Sequence, residues 1–159
     1  MTDPAKLRDT VERFFSLLEG ESAASDEENF AELADTLDEL ITLGRRADMP
    51  FEDGHPEPPT RGPEGYRQAR EMAQKRFPGL DVYNVPDGIS VQPGESHLIS
   101  GDPYDDIADI AGDLYQVKWC LTNSSPNDAL WHFRFSFDTH WGDHANNLRW
   151  YLHARAYGR

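Results

Sequence analysis

Trp131-His132-Phe133-Arg134-Phe135-Ser136-Phe137-Asp138-Thr139-His140-Trp141-Gly142-Asp143-His144-Ala145-Asn146-Asn147-Leu148-Arg149-Trp150-Tyr151-Leu152-His153-Ala154-Arg155-Ala156-Tyr157 reads as one long helix. Phe133, Phe137, His140, Trp141, His144, Leu148 and Tyr151 recur at the three- and four-residue spacing of a single helical face. A plain bundle helix would carry Leu or Ile there. Two histidines inside an aromatic stripe therefore need polar partners.

Working outward, helix starts are marked by a capping residue followed by proline: Asp3-Pro4, Gly62-Pro63, Asp102-Pro103 and Ser125-Pro126. Ser25 and Glu28 have the spacing of a capping box. These signals predict helices over 4–19, 26–43, 63–77, 103–122 and 126–156, the last bent at Gly142. Gly20 and Gly44 are read as the stops of the first two. Their seams are Leu7, Val11, Phe14, Phe15 and Leu18, then Phe30, Leu33, Leu37, Leu40 and Ile41. Ile107, Ile110, Ala111, Leu114, Val117 and Leu121 form the seam of the fourth. Residues 45–62 hold too many prolines for regular structure. In 80–101, an alternating run, Pro86-Asp87-Gly88 and Ile89-Ser90-Val91 suggest a small β-hairpin, with an irregular loop as the alternative. Pro93-Gly94-Glu95 and Ser100-Gly101-Asp102 read as turns. The expected fold is mainly α: an irregular bundle of about five helices with a hairpin between the third and fourth. It is organised as one domain over 1–159, with an N-terminal helical hairpin (1–44), a Pro-rich connection (45–62) and C-terminal helices (63–159).

Composition bounds the function. Of 159 residues, 15 are Lys or Arg against 29 Asp or Glu, a formal charge of -14. Such a field repels a phosphate backbone, so direct nucleic-acid binding is not expected. A basic protein partner is the sharper reading of the acidity; solubility is the plainer one. No apolar run approaches membrane-spanning length, and the N-terminus lacks a hydrophobic signal core, so a cytoplasmic location is expected. The single cysteine, Cys120, is read as a packing residue. Asn123-Ser124-Ser125 matches the glycosylation triplet, a weak signal alone. Trp131 and Trp150 lie off the main stripe and would mark an interface if exposed.

Two constellations could carry chemistry. Asp102, Asp106, Asp109 and Asp113 share one strip of the fourth helix. Crowded carboxylates call for cations, and Arg67, Arg70 or Arg134 are the expected partners, ahead of a metal. His140 and His144 have a spacing that suits a metal, with His97, His55, Asp106, Asp109 or Asp113 as a further ligand. The Glu-x-x-His pattern of di-iron bundles is absent. The leading expectation is structural: two buried or half-buried histidines hydrogen-bonded to aspartates of the neighbouring helix, with neither metal nor cofactor. No nucleophile elbow, phosphate loop or dinucleotide fingerprint occurs.

Arg76-Phe77-Pro78, Asp105-Asp106-Ile107-Ala108-Asp109-Ile110, Trp131-His132-Phe133-Arg134-Phe135-Ser136-Phe137 and His140-Trp141-Gly142-Asp143-His144, in this order, resemble a bacterial family classed only as a domain of unknown function. The resemblance spans about Pro63 to Leu152. It implies a small helical protein and supplies no catalytic residues. Three functions stay open: an acidic cytoplasmic interaction module without catalysis, which leads; a metal-dependent bundle enzyme using His140, His144 and aspartates; and an acidic nucleic-acid mimic binding a basic protein.

Overall fold

Side chains at the helix starts set most of the boundaries. In the computed structural model, which describes residues 2–21, 25–89, 92–94 and 96–158, α1 spans Pro4–Glu19 and α2 spans Asp26–Arg46. Asp3 caps α1 by accepting from the Ala5 N–H at 3.0 Å. Ser25 and Glu28 cap α2 reciprocally, satisfying donors that a helix end leaves orphaned. α3 spans Gly62–Arg76 and α4 spans Pro103–Asn123. Asp102 caps α4 at the Tyr104 and Asp105 N–H groups. α5 (Pro126–Ser136) starts under Ser125, continues through a π-helical turn (Phe137–Trp141) and resumes as α6 (Gly142–Ala156). The protein is thus mainly α, with five helices, the fifth interrupted, and a two-stranded sheet between α3 and α4.

Three local expectations are corrected. Gly44 does not end α2, which runs on to Arg46. Gly44 is buried, and a Cβ there would stand 2.7 Å from the Phe137 ring. Its smallness serves a close helix crossing, not a stop. α3 begins at Gly62, one residue early, and ends at Arg76, with Arg61 in the capping place and no side-chain cap. The hairpin pairs different strands: β1 (Tyr83–Pro86) runs antiparallel to β2 (Leu98–Gly101), Tyr83 opposite Gly101 and Val85 opposite Ile99. Ile89 lies outside any strand, and Ser90 and Val91 fall outside the described residues. Ser100 and Gly101 are strand and not turn. The Asp87 N–H donates to the His97 carbonyl at 2.8 Å, which prolongs the pairing into a long connection where a tight turn was expected.

The π-helical interruption that ends at Gly142 has a definite cause. A Cβ on Gly142 would lie 2.3 Å from the carbonyl oxygen of Phe137, five residues back. A π turn presses the backbone of residue i+5 toward that carbonyl, and glycine permits it. The stripe read at a uniform helical period is consequently split. Phe133, Trp141 and Leu148 are buried, Phe137, His144 and Tyr151 are half-buried, and His140 is exposed. Phe137 therefore packs on the rim of the core and not at its centre.

α4 runs through the middle of the bundle, against α1, α3, α5 and α6. Its Ile107, Ile110, Leu114 and Val117 are wholly buried. The Arg134 guanidinium on α5 donates to the carbonyls of Gly44, Arg45 and Ala47 at 2.9–3.2 Å. A cation at the α2 C-terminus complements its dipole and ties α5 to the N-terminal helices. Among the described residues, no helix is long and apolar enough to cross a membrane.

Candidate metal centre

The aspartates of α4 recur along one side of the helix and are met from α3 at its start and from β1, the π turn and α6 further along. Asp102, at the helix start, takes Arg70 of α3 at 2.5 Å. Asp105 accepts from the Tyr66 hydroxyl. Asp106, 5% exposed, accepts from the Tyr83 hydroxyl of β1 at 2.5 Å and from His144 at 2.8 Å. Asp109 lies 3.4 Å from the other nitrogen of His144. Asp113 accepts from His140 at 2.7 Å. The arginine pairing expected for the row holds only at Asp102. Arg67 turns to Glu64 and Glu71 on its own helix, and Arg134 to Asp138 and the α2 carbonyls. Asp109 and Asp113 are met instead from the π turn and α6, by His144 and His140.

His140 and His144 do meet the aspartates of the neighbouring helix, and through the same atom. Each uses Nδ1: His140 toward Asp113 Oδ2 and His144 toward Asp106 Oδ1. A carboxylate can only accept, so Nδ1 carries the proton in both rings and Nε2 is the lone-pair nitrogen of the neutral form. The rings stand edge to face with centroids 5.0 Å apart. A ring nitrogen of each and a carboxylate oxygen of Asp109 all lie within 4.8 Å of one another.

This places the lone-pair nitrogen of a neutral His144 against a carboxylate oxygen at 3.4 Å. Two electron-rich atoms at that distance require a positive charge, either on the ring or between them. The proton is one answer. Asp106 as hydrogen-bond acceptor raises the His144 pKa above its usual 6.5, with burial opposing and Asp109 assisting. A metal ion is the other. Two ligands bonded at about 2.0–2.1 Å in a tetrahedral sphere stand about 3.3 Å apart, close to the spacing found. Burial raises the carboxyl pKa of both Asp109 and Asp113, partly offset by the histidines. Bringing a cation to the cluster would relieve that penalty.

The cluster borders solvent. A cavity of about 210 Å³ opens between α3 and α4, with Asp109, Asp113 and His140 in its wall beside Arg61, Tyr66 and Gln116. A larger concavity of about 690 Å³, between β1 and α6, shares Tyr83 with Asp106 but contains neither histidine. The smaller cavity is the one that reaches Asp109, Asp113 and His140. His97 lies exposed on β1–β2's connection, and His55 pairs with Ser124 and Glu52; neither joins the His140–His144 group among the described residues.

Sequence reading did not find Tyr83 or Asp105 as members of this network. Tyr83 reaches Asp106 because its ring lies across Gly101, where a Cβ would stand 2.5 Å away. That contact depends on strand register, which no local signal announced. Also unforeseen was a second gathering, Cys120, Asp128 and His132, at the α4–α5 turn.

A family model described as Domain of unknown function (DUF5063) matches residues 5–157. No curated protein matches the chain significantly in sequence. Among solved structures, the crystal structure of protein BF1032 from Bacteroides fragilis is similar, with a TM-score of 0.73 at 19% identity over 94% of this chain and 89% of that one. At that identity the likeness speaks for the fold alone.

Proposed function

The chain belongs to this DUF5063 family, and we propose that it is a divalent-metal-binding protein whose centre is Asp109, His140 and His144. One observation carries the reading. Both histidines are held at Nδ1 by carboxylates, Asp113 and Asp106, which fixes the tautomer that presents Nε2 to a metal; metal-ligating histidines characteristically have such outer partners. The π turn that bears His140 supports it, since such turns concentrate at functional sites. Two imidazoles and one carboxylate suit zinc, and also the open-sided two-histidine, one-carboxylate arrangement of non-haem iron. The remaining coordination positions would face the cavity, where a bound ion could act as a Lewis acid on water or a small ligand. Metal-dependent catalysis follows as the enzymatic form of this proposal, in a bacterial, cytoplasmic protein.

The test is uptake of zinc, nickel or manganese by untagged protein, read as stoichiometry and melting temperature. One equivalent lost on His144→Ala supports the centre. Equal uptake by wild type and His144→Ala, or none by either, removes it.

A second reading, an interaction module for a basic protein, is favoured by the formal charge of -14 and by the Phe51–Trp131–Phe135 aromatic stack, in which Phe51 and Phe135 are exposed. Co-purification of a basic partner, lost at high salt, supports it. The nucleic-acid-mimic form requires in addition that nucleic acid displace the chain from that partner.

A further inference from the structure

At the α4–α5 turn, a buried carboxylate faces a thiol and an imidazole. Asp128 is 5% exposed, and its Oδ2 has no hydrogen-bond partner among the described residues. Its position in the first turn of α5 explains why an acid is tolerated there. It does not explain a buried oxygen left unsatisfied, which ordinarily carries a cost. Around it stand Cys120, wholly buried in the last turns of α4, and His132, one turn further along α5. The Cys120 sulfur, an Asp128 oxygen and a His132 nitrogen lie within 4.8 Å of one another. Asp128 Oδ1 and His132 Nε2 are 3.6 Å apart, too long for a hydrogen bond and close to the separation of two ligands on one ion.

We propose that Cys120, Asp128 and His132 form a second metal site, structural in role and selective for zinc. Thiolate, imidazole and carboxylate together are a borderline-soft donor set that zinc takes in preference to magnesium or calcium. His132 is half-buried, so the fourth position is open toward solvent and a water can fill it. On coordination the Cys120 thiol loses its proton to solvent and the sulfur–metal bond forms in its place. A nucleophilic cysteine is the competing use of these residue types, and burial opposes it. The thiol is inaccessible, whereas reactive cysteines are partially exposed. The ion would clamp the end of α4 to the start of α5, where the Ser124 hydroxyl also receives His55 of the Pro-rich connection at 3.2 Å.

This site is independent of the Asp109–His140–His144 centre, and cobalt(II) separates the two. Cobalt alone is titrated into the full chain, into His144→Ala, and into His144→Ala carrying either Cys120→Ser or His132→Gln, with circular dichroism of each metal-free protein as the folding control. Cys120 is the one cysteine of the chain, so a thiolate-to-cobalt charge-transfer band reports this site uniquely. The expected result is a band saturating at one equivalent in His144→Ala, displaced by zinc, absent with Cys120→Ser and weakened at least tenfold in affinity with His132→Gln, as expected for loss of a ligand. His132→Gln, at a half-exposed position, carries the test if Cys120→Ser does not fold. A folded His144→Ala protein with no such band, or an affinity unchanged by His132→Gln, overturns the proposal.

Discussion

α1 and α2 meet through leucine and phenylalanine, whereas α4 and α6 meet through aspartate and histidine. Leu7, Val11, Leu33, Leu37 and Leu40 are shielded from water almost completely, and the polar contacts between α1 and α2, such as Lys6 and Arg13 with Glu39, stay on the surface. Across α4 and α6 the same kind of crossing contains buried Asp106 with Asp109 and His144 in half-buried positions. The first pair is held mainly by area removed from water, with pH acting only on its surface ion pairs. The second exchanges part of that area for charges that need each other or a cation. One region is built for stability, while the other keeps a polar cluster that stability alone does not require.

The comparison breaks most visibly in the apolar seams. Leu37→Ala in α2 and Leu114→Ala in α4 should each cost about 2–5 kcal/mol, through lost burial and the cavity left behind. Both leucines are wholly buried. Denaturant melts measure the loss, and neither value should change when a divalent metal is added beyond the shift common to wild type. A loss below about 1 kcal/mol at Leu114 would mean that α4 is not the centre of the core.

Asp106→Asn is the next largest effect. Asp106 serves Tyr83 and His144 at once from a buried position, so removing its charge should cost the metal-free protein about 1–3 kcal/mol. The pH dependence gives the sign. His144 has a raised pKa, so its contribution is complete below 6.5 and is lost as pH rises through the raised value. Asp109 and Asp113, also raised, add a loss of the same sign as pH rises through their own values. Wild-type metal-free protein should therefore lose stability above pH 6.5, and Asp106→Asn should flatten that loss. Thermal melts over a pH series decide it; an unflattened curve would detach Asp106 from His144.

Glu39→Gln should have the smallest effect, about 0–1 kcal/mol, because the pair it breaks is at the surface. Lys6 holds the Glu39 pKa below 4.5, so this contribution is present above 4.5 and lost as pH falls through the lowered value. The two regions thus respond to pH in opposite directions. Melts of Glu39→Gln in acid and of Asp106→Asn above neutrality would show that opposition, and parallel curves would erase it.

Legibility in the sequence follows the same division. α1 is bounded as its caps predict, and the seams of α1, α2 and α4 are the observed core except for half-buried Ile41 and Leu121, because local propensity, capping and periodicity agree there. They disagree at Gly44, Gly101 and Gly142. Each of these glycines accommodates a distant group, the Phe137 ring, the Tyr83 ring or the Phe137 carbonyl, and nothing in a local window distinguishes that from a helix stop, a turn or a simple bend. His140 and His144 were visible as misfits on an aromatic stripe, and the aspartate row as crowded charge. That Asp106 and Asp113 would meet them depended on the rotation that the π turn imposes on α6, which a uniform helical period cannot encode.

The most direct measurement is anomalous diffraction at the zinc edge from crystals of the protein grown with zinc. A single-atom peak within about 2.0–2.1 Å of Nε2 of His140, Nε2 of His144 and a carboxylate oxygen of Asp109 is the expected result, with Asp113 and Asp106 still bonded to the two Nδ1 atoms. A zinc-loaded crystal with no peak there, the imidazoles bonded only to their aspartates, would contradict it.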